Sequence, residues 1–509
     1  MKSFKLLAYA AVLGLGSLLT ASCKEDILDI DPVANNTSDS FYKDETDVNQ
    51  GVIAIYNGIM SLPVTSNWYM SETRSDNIQI GILAIQRDYS DVSNFAASSQ
   101  TSQIQSTWTD LFQIVYRSNI LLEKIQPFSF TRVNQFKAEA RFLRALAYFD
   151  AVRYWGALPI VDKVYGVEEA KKVPRSPIAD VYKFIVDDLS FAADNLPETY
   201  AAAERGRATK WAAKALLGKV YLTMYGYPLK DASALPKAKQ QLADVYAREG
   251  SAGAIAPIYG DLFKTINDNK YSVFEVQYVS GGTLGSPIPF EQGNNFPAFW
   301  SPYAAAGNDV LVSPDLMGAG WPKRDARKAA TYDSVIVNPT TGARTGRPQF
   351  TKFLEKGTTA PTNNRDYSNN FPIIRFEDVV LMYAEVLNEE VGAGAPAPAM
   401  ALTLLNRIHT RAGVNGATPP SAPLPALGPM NKEAFQAAML QERRWEFAAE
   451  GQRWFDLVRT GRALETIQNI KALEGISIRK LDEHDLLFPI PLQELRINPG
   501  FWEQNPGYN

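Results

Sequence analysis

A chain of 509 residues has room for one large domain or two to three ordinary ones, and 46% hydrophobic with 21% charged side chains is the composition of a folded soluble body. A formal charge of -4 with no dense basic run gives no electrostatic basis for a nucleic-acid partner, and none is expected. One cysteine excludes an intramolecular disulfide and argues against a thiolate metal cluster; His409 and His484, far apart in the chain, form no metal-ligand spacing, so neither a metal nor a cofactor is expected.

Residues 1–22, "MKSFKLLAYAAVLGLGSLLTAS", have a basic start at Lys2 and Lys5, an apolar run from Leu6 to Leu19 and a small-residue site, the pattern of an export signal. The apolar run is short for a membrane span. Cys23 follows at once, and the junction resembles a bacterial lipoprotein signal, in which the cysteine is acylated and becomes the first residue. Thr20 departs from the usual pattern, where leucine is commoner. Acyl chains contribute about 0.8 kcal/mol per buried methylene, so several on one cysteine hold a soluble body at a membrane surface. After Cys23, "KEDILDIDPVANNTSDSFYKDETD" carries eight acids against two lysines and reads as a solvated tether. Its opening Lys-Glu-Asp resembles the export tag of surface lipoproteins in Bacteroidetes-type bacteria.

Helical periodicity governs most of the remaining chain. Residues 105–125 place Trp108, Leu111, Phe112, Val115, Asn119 and Leu122 on one stripe. Residues 134–155 have two apolar faces: Phe136, Ala140, Leu143, Ala147 and Tyr154 on one, Phe142, Ala145, Phe149 and Val152 on the other. Such a helix is sandwiched between neighbours and ends at Gly156. Further helices are expected at 178–195, 208–225, 234–248, 376–390, 398–412 and 432–460. "LLGKVYL" within 208–225 carries the Leu-Gly-x-x-Tyr core of a tetratricopeptide helix, with Gly218 allowing close approach. The expected fold is mainly α: paired helices in an irregular tetratricopeptide-like solenoid, with loop-rich insertions and a few short strands. Between 250 and 375, "YSVFEVQYV" (271–279) alternates like a strand and leads into a long Gly-, Pro-, Asn- and aromatic-rich stretch.

The C-terminal third carries specific motifs: "IIRFEDVVLMYAEVLNE" (373–389), "ALTLLNRIHTRAGV" (401–414), "QERRWEFAAEGQRWFDLVRTGRA" (441–463) and the closing "LLFPIPLQELRINPGFWEQNPGY". Together with "LDIDP", "AEARFLRALAYFDAVRYWGALPIV" and "RATKWAAKALLGKVYLTMYG" in the N-terminal half, they resemble the SusD/RagB family over nearly the whole chain after Cys23. His409 stands where the family more often has arginine, a difference expected to touch only a helix surface. The resemblance implies one SusD-like domain over 46–509, with an N-terminal part to about 250 and a C-terminal part from about 260, after a tether at 23–45. It also implies a non-catalytic, lipid-anchored protein on the outer face of the outer membrane. Such a protein would capture oligosaccharides and deliver them, as a lid, to a SusC-like TonB-dependent β-barrel.

Glu442, Arg443, Arg444, Glu446, Glu450, Arg453 and Asp456 fall at helical spacings along 432–460 and are expected to pair along one long helix. For a ligand, sugars need aromatic platforms flanked by hydrogen-bonding side chains. Trp108, Trp211, Trp445 and Trp454 fit helix cores, Trp155 ends a helix and Trp502 belongs to the terminal motif. That leaves Trp68, Trp300 and Trp321 in loop-like surroundings. Tyr69, Arg74, Asp76 and Asn77 accompany Trp68; Asn294, Asn295, Phe299 and Tyr303 accompany Trp300. In the family, contacts come largely from loops in these two regions without a fixed motif, and each aromatic can equally pack within its loop. Three alternatives stand beside the glycan reading: a peptide or other non-glycan ligand in the same role, a surface glycoside hydrolase, and a purely structural lid without affinity of its own. No nucleophile elbow, Walker loop or zinc-protease helix is present to support catalysis.

Overall fold

The computed structural model describes residues 41–80, 88–292, 310–337, 341–345, 348–355, 361, 363, 365–416, 421–470 and 480–508. The signal segment, Cys23 and most of the acidic stretch lie outside the described residues. The last acids of that stretch open a helix: the Asp44 carboxylate accepts the amides of Thr46 and Asp47 and starts α1 (Glu45–Gly58).

The scaffold is a succession of helices: α2 (Ser102–Lys124), α3 (Val133–Trp155), α4 (Ile178–Asn195), α5 (Lys210–Tyr225) and α6 (Ala234–Tyr246), then, after a long insertion, α7 (Phe376–Glu389) and α8 (Ala399–Arg411). Each packs on its neighbour in this order, α6 meeting α7 across the insertion. The fold is mainly α, as the periodicity requires. Both faces of α3 are buried, including Phe136, Leu143 and Tyr154 on one and Phe142, Phe149 and Val152 on the other. On α2, Trp108, Leu111, Val115 and Asn119 are buried while Phe112 and Leu122 sit at the margin. Gly218 has the expected reason: a Cβ there would lie 2.7 Å from Leu242 Cγ on α6.

The segment 432–460 is not one helix. It divides into α9 (Lys432–Phe447) and α10 (Arg453–Arg459), followed by α11 (Ala463–Gln468). The chain turns through Ala449 and Gly451 at positive φ, and the Glu72 carboxylate holds the turn by accepting their amides at 2.8 and 2.7 Å. A Cβ on Gly451 would approach Asn67 to 2.6 Å. An N-terminal acid therefore enforces the break.

The strands are short, and among the described residues they form antiparallel two-stranded pairs only. Strand β1 (Ile78–Ile80) pairs with β3 (Val310–Val312), and β2 (Ser272–Val276) with β4 (Phe371–Arg375). β2 falls inside the alternating stretch read from sequence. Most buried apolar side chains, from Val48 to Ile490, form one continuous core. A second, smaller core gathers Trp68, Tyr69, Ile78, Ile80, Tyr89, Val310, Val312, Leu316, Tyr332 and Phe350 with Ala448 and Ala449.

The motif charges pair mainly across the fold; Asp456 alone also pairs along its own helix, with Arg459. Glu446 accepts from Arg375 at 2.8 Å, Arg327 at 3.0 Å and Arg411 at 2.7 Å. Glu450 takes Arg375 and Lys352, and Glu442 takes Arg327 and His409. Burial pushes the Glu446 carboxyl up, but the three surrounding guanidinium groups outweigh it and hold it far below the usual range. Lys352, fully enclosed, is pushed down to about 8 by burial despite Glu450. His409 is buried with its Nδ1 2.8 Å from Glu442, so its difference from the family's arginine falls in the interior and not on a helix surface.

Candidate ligand-binding face

The second core holds Trp68 and Tyr69 of the first sequence-selected region and the described residue that follows the second, Val310. Residues 63–71 form a π-helical segment, not a loop, and it buries Trp68 and Tyr69. Trp68 is 1% exposed and lies edge-on to Phe350 at 5.6 Å. Tyr69 stacks on Tyr89 at 4.8 Å, and its hydroxyl donates to Glu291. Burial first, and then Glu291, push the Tyr69 phenol well above its ordinary value, so it stays a donor.

The polar residues after Trp68 are equally enclosed. The Arg74 guanidinium lies over Phe95 at 4.3 Å and Phe488 at 4.1 Å and donates to the Asp485 carbonyl. Asp76 receives Arg453 through both carboxylate oxygens, at 2.7 and 2.9 Å, and lies 3.1 Å from Arg444. Burial raises the Asp76 carboxyl, and the two arginines more than reverse it. Asn77 accepts from Arg444 at 2.9 Å and donates to Glu72 at 2.9 Å. Trp68, Tyr69, Arg74, Asp76 and Asn77 therefore do not form the exposed platform expected of them. Their surfaces are spent on packing and internal pairing.

These residues instead form a mount. In the β1–β3 pair Ile80 stands opposite Val310, so the chain runs into residue 81 and out of residue 309 at the same end of the pair. Residues 293–309, which carry Asn294, Asn295, Phe299, Trp300 and Tyr303, lie outside the described residues. Their N-terminal attachment is moored on the same core: Glu291 takes the Tyr69 hydroxyl and the exposed Arg365 at 2.6 Å, and Gln292 donates to the Ala449 carbonyl at 2.9 Å. Trp321 is half-buried, 5.9 Å from Trp445, with its indole N–H bonded to the Leu316 carbonyl at 2.8 Å. Of the sequence-selected aromatics that are described, Trp321 alone keeps a partly open face.

Sequence reasoning missed Glu72, Glu291 and Gln292. Glu72 and Glu291 are buried acids whose role depends on partners hundreds of residues away, and no local spacing marks them. Among the described residues, Asp482, His484 and Asp485 bring ligand-type atoms within 4.8 Å of one another. They are engaged with each other: Asp482 and Asp485 reciprocally cap a short 3₁₀ turn, and the His484 imidazole bonds to Asp482. Trp155, which ends α3, is a buried core piece tied to the terminal motif. Trp155 donates to the Pro489 carbonyl at 3.1 Å, and Asn505 donates back to Trp155 at 3.0 Å.

Comparison with known proteins agrees along both halves. Residues 300–508 match the model of the SusD family, and residues 27–222 match a model described as starch-binding and associating with the outer membrane. A SusD-like protein of Formosa agariphila is 27% identical over 96% of this chain and 97% of its own length. A SusD-like protein of Bacteroides ovatus is 28% identical over 88% and 81%. Among solved structures, a SusD homologue from Bacteroides thetaiotaomicron superposes with a TM-score of 0.77 at 22% identity, covering 92% of this chain and 98% of that one. A laminarin-binding SusD-like protein superposes with a TM-score of 0.74 at 27% identity, covering 92% and 100%. The two family models, the full-length relatives and the shared fold together make this chain a member of the SusD/RagB family.

Proposed function

We propose that this protein is a non-catalytic surface receptor that captures oligosaccharides through residues 293–309 and passes them to a SusC-like TonB-dependent barrel. The observation that carries the capture reading is the mount. The β1–β3 pair and the Glu291–Gln292 anchor tie both ends of the aromatic-rich segment to a rigid second core. Preorganised attachment lowers the ordering cost of binding, and Trp300 with Phe299 and Tyr303 supplies flat apolar faces for sugar rings. The laminarin-binding relative supports a glycan as the ligand class. Delivery to a barrel and acylation of Cys23 rest on the family resemblance and on the lipoprotein-type junction "LLTASC".

The test is incubation of the purified protein with neutral glucan oligosaccharides, followed by calorimetry and product analysis. Binding without cleavage is the expected result. Cleavage products abolished by one Asp or Glu substitution would contradict the non-catalytic reading. For the anchor, Cys23→Ala is expected to move the protein from the membrane to the soluble fraction; unchanged membrane association would remove Cys23 from that role.

A further inference from the structure

A cleft of about 650 Å³ opens between the C-terminal ends of α5 and α7, the α9 helix, and α10 with α11. A second hollow of about 480 Å³ adjoins it, and Tyr225, Gly226, Arg459 and Thr460 line both. The ridge between them is fastened by the Tyr227 amide, which donates to the Arg459 carbonyl at 2.9 Å. Each hollow has the volume of an ordinary small-molecule site. None of the second-core residues that carry segment 293–309 lines either one.

The floor chemistry is specific. Arg443 spends Nε on Asp456 at 2.8 Å and Nη1 on Asp378 at 2.7 Å. Arg444 spends Nε on Asn77 and Nη2 on the Asp76 carbonyl and Asp315. Among the described residues, Arg443 Nη2 and Arg444 Nη1 make no protein hydrogen bond, and both residues line the cleft. These N–H groups are therefore open to acceptors on whatever enters it. Asp315, 28% exposed, adds a carboxylate acceptor beside them. Tyr225, half-buried at the ridge, offers a ring face while its hydroxyl donates to Glu389 at 3.2 Å.

The ligand class follows from the charge balance. Arg453 is matched by Asp76, Arg459 by Glu385 and Asp456, Arg444 by Asp315, and Arg443 by Asp378 and Asp456. In the first cleft, where Arg462 also pairs with Glu465, an anionic ligand would find no uncompensated positive charge; in the adjoining hollow Lys230 and Glu483 bring one charge of each sign. Hydroxyl groups, which both donate and accept, suit a floor that offers guanidinium N–H groups and a carboxylate together. We infer that this double cleft is a second saccharide site, taking a neutral oligosaccharide independently of segment 293–309. The inference rests on the glycan-binding function proposed for that segment and extends it to a second place on the protein.

The experiment is calorimetric titration of the full chain with laminarihexaose and a xyloglucan oligosaccharide, and with an oligogalacturonate as anionic control. The wild type is expected to bind two equivalents of a neutral oligosaccharide. Tyr225→Ala should retain one equivalent, and Trp300→Ala the other. The exposed Asn469→Ala, which lines the cleft and carries little folding risk, should weaken one equivalent at least threefold at an unchanged melting temperature. A single equivalent lost in Trp300→Ala and untouched by both cleft variants would overturn the second site and leave the loop reading standing. A single equivalent sensitive only to the cleft variants would do the reverse. No binding of any neutral oligosaccharide would overturn both, and oligogalacturonate binding that Tyr225→Ala abolishes would overturn the neutral class.

Discussion

Asp76 and Arg453, 377 residues apart in the chain, meet face to face through two hydrogen bonds of 2.7 and 2.9 Å in the interior. The pair ties the segment before β1 to the start of α10, and Arg444 leans on the same acid at 3.1 Å. Asp76→Ala leaves two buried guanidinium groups short of their counter-charge. Removing one partner of a buried pair costs about 3–5 kcal/mol, so Asp76→Ala is expected to lower the melting temperature sharply. A melting temperature within a degree of the wild type would show that the pair does not hold the segment.

Glu446 is the anion shared by Arg375, Arg327 and Arg411. Its carboxyl is held low, so its stabilising effect is complete above the ordinary carboxylate range and is lost only as pH falls toward its folded value. Glu446→Gln is expected to destabilise by about 3–5 kcal/mol at pH 7 and to flatten the acid limb of the stability profile. Chemical denaturation at pH 7 and at pH 3 checks both; an unchanged acid limb would assign acid sensitivity to other groups.

Two glycines at similar φ separate strain from crowding. Gly451 has φ 74° with Asn67 packed where a Cβ would go, whereas Gly461 has φ 70° with open space around it. Gly451→Ala should cost more than about 2 kcal/mol, from left-handed strain plus overpacking, and Gly461→Ala only the strain of about 1–2 kcal/mol. Equal costs in denaturant titrations would contradict the Asn67 contact.

Asp268 is half-buried beside Glu275, and burial followed by that charge raises its carboxyl to about 8. The folded state therefore binds a proton that the unfolded chain gives up near pH 4. The stability tied to this proton is present at acid pH and falls as pH rises through about 8. Asp268→Asn, which needs no proton, is expected to raise the melting temperature at pH 9 relative to wild type and to change little at pH 4. A larger gain at pH 4 than at pH 9 would reverse the assignment.

The scaffold was legible because helix burial is periodic. The double face of α3 and the glycine at position 218 state their packing in the sequence itself. The break between α9 and α10 was not, because Glu72 enforces it from far away in the chain. The motif charges misled for a related reason: spacing that suits pairing along a helix also suits one helix projecting charges to several partners, and Arg375, Arg327 and Asp76 lie on other elements. Elimination among the tryptophans leaves Trp68 as a loop candidate, but Phe350 and the rest of the second core, from distant parts of the chain, bury it. Segment and mount differ in how they show themselves. The composition of 293–309 marks aromatic chemistry, while its described flanks are brought to the second core by the β1–β3 register at Val310 and by the contacts of Glu291 and Gln292.

The most direct measurement is titration of laminarihexaose into the wild-type protein and Trp300→Ala, fitted for the affinity of each equivalent bound. Loss of one equivalent, or its weakening by at least tenfold, equivalent to about 1.4 kcal/mol, is the result expected if the mounted segment captures glycan. Identical isotherms for the two proteins would contradict it.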